Sequence, residues 1–409
     1  MGAQASRLRV PQTEHLRAFE SLHGGLRRCC FVPDRTKTRA GTPALPCLVR
    51  SHVQFPLRRN NLRVHRMKNE LINQEELLRK VSRSFYLTLR ILPRSIRPQL
   101  GLAYLLARAT DTIADTDAVA VDKRRHVLDG FRQSIQAVCA GRTASVPDFS
   151  SFMRTRQPGL SQTDDAEQTL LENFGILLNS LSRFEAADRE KIRAVLEIIT
   201  QGQQDDLLRF GVAGTSPGAL TTNEELDSYT YAVAGCVGEF WTRLCRTHVF
   251  PDATLDENLL FADAVRFGKG LQLVNILRDL PKDLRMGRCY IPEQALSRHG
   301  LTPDDLLDAG VMNRFRPLYD EYLNQAEEHL RAGWRYTTTL PFGCFRVRLA
   351  CAWPVLIGVQ TLRRLRQANV LDADRRVKVS RAGIRRIIAA SVFLYPRRAA
   401  WNRIFDRMT

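Results

Sequence analysis

The segment LGLAYLLARATDTIAD, which runs from Leu100 to Asp115, decides how this chain folds. Five of its residues are spaced four, four, three and four positions apart: Leu100, Tyr104, Arg108, Asp111 and Asp115. At this spacing they share one face of a helix. An ordinary amphipathic helix keeps its charges on the side that faces solvent. Because the two carboxylates here continue an apolar and aromatic stripe, we expect this helix to carry charge into the interior of the protein.

A second segment, GKGLQLVNILRDLPKD from Gly268 to Asp283, repeats the theme. Four side chains that offer oxygen atoms are spaced three, four and four positions apart: Gln272, Asn275, Asp279 and Asp283. Pro281 removes one backbone hydrogen bond of a helix, so Asp283 lies either on the same helical face or past a kink or helix end. Three arginines that can pair with phosphate as donor forks lie nearby: Arg278, Arg285 and Arg288.

The two carboxylate pairs together predict a metal site. Carboxylates one helical turn apart repel each other unless a cation lies between them. Mg²⁺ prefers one or two carboxylates and completes its shell with waters and substrate phosphates. One such pair is a weak signal, since solvated acidic turns are common. Two pairs on largely apolar helices, each beside arginines, predict helices that face each other across a bundle and hold Mg²⁺ around a diphosphate, with apolar walls for a hydrocarbon chain.

The rest of the chain alternates long amphipathic stretches with Gly and Pro, which predicts helices. We predict them at residues 70–92, 98–115, 121–140, 166–181, 186–210, 223–248, 256–280, 316–336, 343–367 and 380–405, with a surface loop at 141–165. We therefore expect one large all-α domain over residues 67–409. Residues 1–66 are rich in Arg and Pro and poor in acids, which fits a transit-type leader, a disordered basic arm or an upstream extension.

The net charge of +18, from 61 Lys and Arg against 43 Asp and Glu, is concentrated at the two ends. Residues 1–66 carry +10, residues 346–409 carry +12, and the middle carries −4. A nucleic-acid enzyme carries basic charge through its working domain, so we predict no nucleic-acid partner. The C-terminal arginines form a solvated helical face or contact an anionic membrane: Arg363, Arg364, Arg366, Arg375, Arg376, Arg385, Arg386, Arg397 and Arg398.

Cysteine usage and hydropathy indicate in which compartment the protein is located. Nine cysteines, an odd number without a CxxC pair, indicate reduced intracellular thiols. The longest apolar run, Leu349 to Val359, has 11 residues and falls short of the roughly 18 to 20 that cross a bilayer. We predict a cytoplasmic protein without a transmembrane segment, either in solution or peripheral on a membrane. The sequence leaves the oligomeric state open.

Five stretches, in this order along the chain, make the sequence similar to the squalene/phytoene synthase family, whose members join two prenyl diphosphates head to head. They are Ser82–Phe85 (SRSF), Arg108–Asp115, Tyr229–Gly238 (YTYAVAGCVG), Gln272–Asp283 and Gly287–Pro292 (GRCYIP). The SRSF segment and the LQLVNILRD run resemble bacterial squalene-forming members. The resemblance implies an isoprenoid-synthase fold with a central cavity.

The resemblance also implies a role for each matching residue. Positions that match metal ligands are Asp111, Asp115, Asn275, Asp279 and Asp283. Positions that match diphosphate contacts are Arg83, Arg108, Arg278 and Arg288, with Ser82 and Ser84 in the same phosphate-binding segment. Positions that match cavity residues near the reacting carbons are Tyr104, Tyr231, Phe85 and Gln272. We predict from this resemblance that the catalytic residues are Tyr104, Tyr231, Arg108, Arg278 and Arg288. The predicted substrate-binding residues are Ser82, Arg83, Ser84, Phe85 and Gln272.

The implied reaction condenses two molecules of farnesyl diphosphate to presqualene diphosphate and then squalene. Mg²⁺ assists the loss of diphosphate, NADPH supplies a hydride if squalene is the final product, and Tyr231 or the released diphosphate takes up the proton. Two alternatives stay open: a phytoene synthase acting on geranylgeranyl diphosphate, and a noncatalytic family member that serves as an assembly factor. Four aspartates that face a cavity favour an enzyme, since unpaired charges in an apolar site are costly.

Overall fold

The computed structural model describes residues 74–82, 85–153, 162–211 and 217–408. The chain divides into two compact units, Met1–Glu76 and Leu77–Thr409, and the site discussed below belongs to the second. The predicted leader at residues 1–66 lies outside the described residues. The domain boundary predicted at residue 67 therefore stays a prediction.

Helices provide almost all of the regular structure, which confirms the predicted all-α class. The first half of the chain forms α1 (residues 74–81), α2 (Phe85–Ile91), α3 (Arg97–Ala114), α4 (Val121–Cys139), α5 (Ser150–Met153), α6 (Gln162–Glu172), α7 (Phe174–Leu181) and α8 (Ala186–Phe210). The second half forms α9 (Asn223–Thr230), α10 (Cys236–His248), α11 (Glu257–Arg285), α12 (Glu293–Arg298), α13 (Met312–Thr339), α14 (Phe345–Leu365), α15 (Arg381–Leu394) and α16 (Arg398–Asn402).

Short irregular elements complete the fold. A π-helical turn at Tyr231–Gly235 joins α9 to α10, and 3₁₀ turns cover Asp304–Leu307 and Ala309–Val311. Two short strands, β1 (Gly218–Ala219) and β2 (Arg288–Cys289), pair in parallel. This pairing fixes the backbone at the first residue of β2, one of the arginines predicted to contact diphosphate.

The helices depart from the predicted bounds at several places. α11 runs without interruption through Pro281 to Arg285, so Asp283 stays on the helix. The predicted helix at 70–92 is interrupted after residue 81, and the one at 380–405 is divided between α15 and α16. Pro396 lies in that second gap and cannot donate a helical hydrogen bond. Among the described residues, no helix has both the length and the apolar character needed to cross a membrane.

The helix that carries the first carboxylate pair is fixed by its apolar side. Its fully buried residues recur every three or four positions: Leu102, Leu105, Leu106, Ala109 and Ile113. They pack α3 against α4, α7 and α8, whereas α11 packs along α13 and against α10 and α14. Each carboxylate-bearing helix therefore has its own apolar neighbours, and its polar face is left to line a shared space.

Two helix crossings beside that space have no room for a side chain. A Cβ atom on Gly238 of α10 would lie 2.0 Å from the carbonyl oxygen of Ala264, and one on Gly268 of α11 would lie 2.1 Å from that of Ala234. Real Cβ atoms do not approach a carbonyl oxygen this closely. α11 thus packs backbone against backbone on the π-turn and on α10.

Candidate active site

A cavity of about 530 Å³ lies where α3, α8, α11 and β2 meet. Its charged and polar wall comprises Arg108 and Asp111 from α3, Asp115 directly after α3, Gln203 and Asp206 from α8, Gln272, Asn275, Arg278, Asp279, Lys282 and Asp283 from α11, and Arg288 from β2. Its apolar wall comprises Ala114, Ile199, Leu207, Val233 and Ile276. The two carboxylate pairs, which are far apart in the sequence, therefore face one space.

Asp111 is the more tightly held carboxylate of the α3 pair. Its Oδ1 accepts a 2.6 Å hydrogen bond from Nε2 of Gln203, and its Oδ2 lies 3.5 Å from Nη1 of Arg108. Arg108 also forms an ion pair with Glu167 of α6. Burial raises the pKa of Asp111 to about 6, the charge of Asp115 adds to this rise, and Arg108 and Gln203 oppose it. A cation beside Asp111 would favour its ionised form.

The pKa values of the two α11 carboxylates, Asp279 and Asp283, are shifted in opposite directions. Asp279 accepts hydrogen bonds from Arg278, 3.0 Å from Nε and 2.5 Å from Nη2, and Nη2 of Arg376 lies 3.7 Å from its Oδ1. Burial disfavours the ionised form of Asp279, but these arginines outweigh burial and hold its pKa below the usual value. One turn later, burial and the charge of Asp279 raise the pKa of Asp283 to about 7.

A fifth carboxylate, absent from the sequence predictions, belongs to the same network. Asp206 of α8 accepts a 3.0 Å hydrogen bond from Oη of Tyr290. Nη1 of Arg288 lies 3.8 Å from Asp206 Oδ2 and 3.7 Å from Asp115 Oδ1, so this arginine joins α3 to α8. Burial raises the pKa of Asp206 to about 6. Its signal in the sequence was a Gln- and Asp-rich stretch, which does not distinguish it from the exposed Asp205.

An aromatic pair forms another part of the wall. The rings of Tyr229 and Tyr290 are stacked, with centroids 4.6 Å apart and an interplanar angle of 23°, and both residues line the cavity. Burial raises the pKa of Tyr229 well above its usual value. Its phenol therefore stays protonated at neutral pH, and the ring contributes an aromatic face.

Several residues predicted from the resemblance lie outside this wall. Oη of Tyr104 donates to the carbonyl oxygen of Val81 at 3.3 Å, and Oη of Tyr231 donates to Oε1 of Glu239 at 3.4 Å. The hydroxyl of Ser82 donates to a backbone carbonyl of α1. Outside the description lie Arg83, Ser84 and the side chain of Phe85. The roles assigned to all six stay predictions.

The donor set of the cavity fits Mg²⁺ if the ion is shared with a diphosphate. Within the described ranges, no three acidic, histidine or cysteine side chains are grouped so that they could hold a metal ion. Mg²⁺ usually takes one or two carboxylates together with waters and substrate phosphates, and α3 and α11 each offer two carboxylates to the cavity. Oε1 of Gln203 is buried without a hydrogen-bond partner, which leaves one more oxygen at the wall for a cation or a water.

Replacing Asp283 by asparagine is expected to stabilise the metal-free protein at pH 8. The folded-state pKa of about 7 lies above the reference value of 3.8, so the ionised carboxylate destabilises the fold above pH 7, and this effect fades as the pH falls toward 4. We expect Asp283→Asn to raise the free energy of unfolding by about 1–2 kcal/mol at pH 8. Urea unfolding in EDTA at pH 8, 6.5 and 5 measures it.

The matched control for this experiment is Asp122→Asn. The side chain of Asp122 is 99% exposed on α4, so its replacement should change stability little at any of the three pH values. An Asp283→Asn protein that is less stable than its parent at pH 8 would contradict the prediction.

The fold and the cavity define an all-α protein with a carboxylate- and guanidinium-lined pocket. Residues 78–383 match the family model described as squalene/phytoene synthase, and the chain belongs to this family. A solved structure of TcSQS with the ligand BPH1237 matches at a TM-score of 0.63 and 20% identity, covering 83% of this chain and 98% of that one. This likeness confirms the predicted isoprenoid-synthase fold.

The relatives of this chain are named for different enzymes of the family. The bifunctional lycopene cyclase/phytoene synthase of Blakeslea trispora is 29% identical over 231 residues, which are 54% of this chain and 33% of that protein. The presqualene diphosphate synthase of Zymomonas mobilis subsp. mobilis is 28% identical over 251 residues, which are 61% of this chain and 70% of that protein. The matched part of this chain spans a third to a half of the length of the bifunctional relatives.

Proposed function

We propose that this protein is a prenyltransferase that condenses two molecules of farnesyl diphosphate head to head. The observation that carries the proposal is the shared cavity, in which both carboxylate pairs meet three arginines beside an apolar wall. Charged groups of both signs are suited to a diphosphate with its counter-ions, and the apolar wall is suited to prenyl chains. A relative named presqualene diphosphate synthase, 70% of whose length is matched, supports this product class.

The arginines of the wall bind and stabilise the leaving diphosphate. Arg108, Arg278 and Arg288 line the cavity and offer planar donor forks that match phosphate oxygens. All three also pair with wall carboxylates, and a nearby guanidinium favours the ionised form of a carboxylate, which is the form that binds a cation. In this proposal Mg²⁺ would be held by Asp111, Asp115, Asn275, Asp279 and Asp283. When bound, it supplies Lewis-acid stabilisation of the departing group.

The carbon chemistry then follows along the apolar wall. Loss of diphosphate breaks a C–O bond and leaves an allylic cation, which alkylates the double bond of the second substrate. The face of the Tyr229 ring can stabilise such a cation. Burial raises the pKa of Tyr231 above its usual value, and so does the charge of Glu239, which favours the released diphosphate as the acceptor of the proton whose loss closes the cyclopropane. The product of this step is presqualene diphosphate.

A second ionisation would convert presqualene diphosphate to the final hydrocarbon. Loss of its diphosphate gives a rearranged cation, and hydride from NADPH would quench that cation to squalene. The alternative is that the protein acts on geranylgeranyl diphosphate and forms phytoene, and the names of the bifunctional relatives favour it. A noncatalytic role would give no reason for three arginines and both carboxylate pairs to face one cavity.

One assay separates these functions. The full chain would be incubated with Mg²⁺ and either farnesyl or geranylgeranyl diphosphate, with and without NADPH, and the extracted products identified, with EDTA as the control. We expect presqualene diphosphate from farnesyl diphosphate and squalene once NADPH is added. No product from either substrate would overturn the enzyme proposal, and product from the longer substrate alone would overturn the farnesyl assignment.

Replacing Gln203 by leucine is expected to shift the acid limb of the pH–activity curve to higher pH. The substitution removes the 2.6 Å hydrogen bond that Asp111 accepts, and this hydrogen bond lowers the pKa of Asp111. A higher pKa means that the ionised carboxylate forms later as the pH rises. The measurement is the initial rate of diphosphate release between pH 5.5 and 9. The rate of the variant should be roughly tenfold lower than that of the parent at pH 6 and nearly equal to it at pH 9.

The matched control is Gln201→Leu, since Gln201 is exposed on the same helix and its amide donates to Asp205 instead. A loss of activity in Gln203→Leu that is equal at every pH would contradict the prediction.

A further inference from the structure

We infer that the outer face of α15 is a docking surface for an anionic lipid bilayer. This inference goes beyond the proposed reaction and does not depend on it. It rests on three observations: an apolar patch that the fold leaves exposed, a long stretch without acidic residues around it, and a rigid attachment of the helix to the domain.

The apolar patch lies near the C-terminal end of α15. Phe393 is 71% exposed, more than any other large apolar side chain in the described part of the chain. Val392 beside it is 49% exposed and Phe345 is 48% exposed. The ring of Phe345 lies 6.4 Å from that of Tyr395, which follows α15 directly. Exposed aromatic and aliphatic side chains next to a basic helix face are typical of segments that enter the interfacial region of a bilayer.

The segment of chain that carries α15 is basic. Residues 375–405 contain nine Lys and Arg and no Asp or Glu. The exposed arginines nearest to the patch in sequence are Arg385, Arg386, Arg397 and Arg398. In the described residues none of these four is paired with a carboxylate, and the guanidinium of Arg397 lies 5.4 Å from the centre of the Phe393 ring. Basic side chains close to a membrane each attract anionic lipid.

Not all of the C-terminal arginines that the sequence suggested for membrane contact belong to the proposed docking surface. Arg366 is paired with Glu327, and Arg376 reaches Asp279 at the cavity. These two arginines are therefore occupied by the domain itself. On α15 the exposed residues alternate with buried ones at helical spacing, so the basic and apolar side chains share the outer side.

α15 is held firmly, which makes its outer side a fixed feature of the surface. Nε1 of Trp353 donates to Oγ of Ser391 at 3.0 Å, and Oη of Tyr395 donates to the carbonyl oxygen of Phe342 at 2.6 Å. Ser391 is fully buried. An exposed phenylalanine on a well-anchored helix is costly in water and gains free energy when it enters an apolar phase.

The chemistry of the face selects the bilayer over other occupants. A second copy of this chain would bring two arginine-rich faces together, which like charges disfavour. A phosphate polyanion would pair with the arginines but would leave Phe393 and Val392 in water. An anionic bilayer satisfies both features, because phosphate headgroups meet the guanidinium groups while the apolar side chains reach the acyl boundary.

Vesicle flotation of the full chain tests the inference. Vesicles of phosphatidylcholine alone would be compared with vesicles in which about a third of the lipid is anionic phosphatidylglycerol. We expect binding to the anionic vesicles only, weakened by added salt. Phe393→Ser should lower the partition coefficient about tenfold. The double variant Arg385→Gln/Arg386→Gln should lower it about twenty-five-fold, at about fivefold for each arginine.

Matched controls come from other parts of the surface. Leu307 is 51% exposed, and Arg94 and Arg142 are exposed, so Leu307→Ser and Arg94→Gln/Arg142→Gln should bind vesicles like the parent. Circular dichroism checks that every variant is folded.

Three results would overturn the inference. They are equal binding to neutral vesicles, no binding to anionic vesicles, and α15 variants that float like the parent. A protein that ignores vesicles but forms dimers which Phe393→Ser dissociates would show that this face joins two copies instead. Because the readout is binding, it is independent of whether the proposed reaction occurs.

Discussion

Replacing Asp111 by asparagine is expected to lower the rate of diphosphate release at least about a thousandfold, which corresponds to about 4 kcal/mol of transition-state stabilisation. Asparagine has the same shape, and its oxygen can still accept the hydrogen bond that Nε2 of Gln203 donates at 2.6 Å. The substitution therefore removes the negative charge and leaves the packing of α3 in place. In the proposed function that charge holds Mg²⁺ against the leaving group.

The measurement is the initial rate of diphosphate release from farnesyl diphosphate at saturating Mg²⁺. Asp122→Asn serves as the control because it removes one carboxylate from an exposed position on α4. Thermal unfolding of both variants shows whether the fold is retained. If Asp111→Asn keeps more than a tenth of the parental rate, the α3 pair is not the metal site of the proposed enzyme.

Replacing Gly268 by alanine is expected to lower the free energy of unfolding by at least about 3 kcal/mol. The new Cβ atom would lie 2.1 Å from the carbonyl oxygen of Ala234, 2.6 Å from its carbonyl carbon and 2.9 Å from the Cα of Gly235. All three atoms belong to the backbone of the neighbouring segment, so no side-chain rotation can relieve the clash. α11 must move away, and its carboxylates would move with it.

Gly101→Ala is the matched control for this effect. Gly101 also lies inside a helix and is buried, but its nearest contact would be Cδ2 of Leu78 at an ordinary 3.5 Å. Alanine is the better helix former by up to about 1 kcal/mol, so this variant should be as stable as the parent or more stable. Urea unfolding at pH 7.5 compares the two, and a Gly268→Ala protein of parental stability would show that the crossing can open without cost.

Local periodicity predicted most of the helical structure. The segment predicted as a helix at 186–210 coincides with α8, and that at 121–140 differs from α4 by one residue. Helix formation over these stretches depends on neighbours three and four positions away, which a sequence displays directly. The helix at 256–280 was predicted too short, because Pro281 was expected to weaken it, and tertiary packing of Leu280 and Leu284 carries α11 past the proline.

The two carboxylate pairs could be predicted for the same reason, because each pair is close together in the sequence. The residues that contact these pairs from other parts of the chain could not be predicted in this way. Asp206 of α8 meets Arg288, and Arg376, which lies between α14 and α15, meets Asp279. Each partner is distant in the sequence, so no local pattern shows these contacts. Tyr229 and Tyr231 are two positions apart and thus lie on nearly opposite sides of a helix. The sequence favoured Tyr231, and the packing of the helices turned Tyr229 toward the cavity.

The sequence by itself therefore determined that the chain is helical, which faces carry its carboxylates and to which family it belongs. Each of these follows from residues that are close together or from motifs that keep their order. The tertiary structure decided which side chains complete the cavity and how they ionise, because a raised pKa at Asp111, Asp206 or Asp283 arises from burial and from charges on other helices. It likewise decided that Phe393 remains on the surface, since exposure is a property of the packed chain.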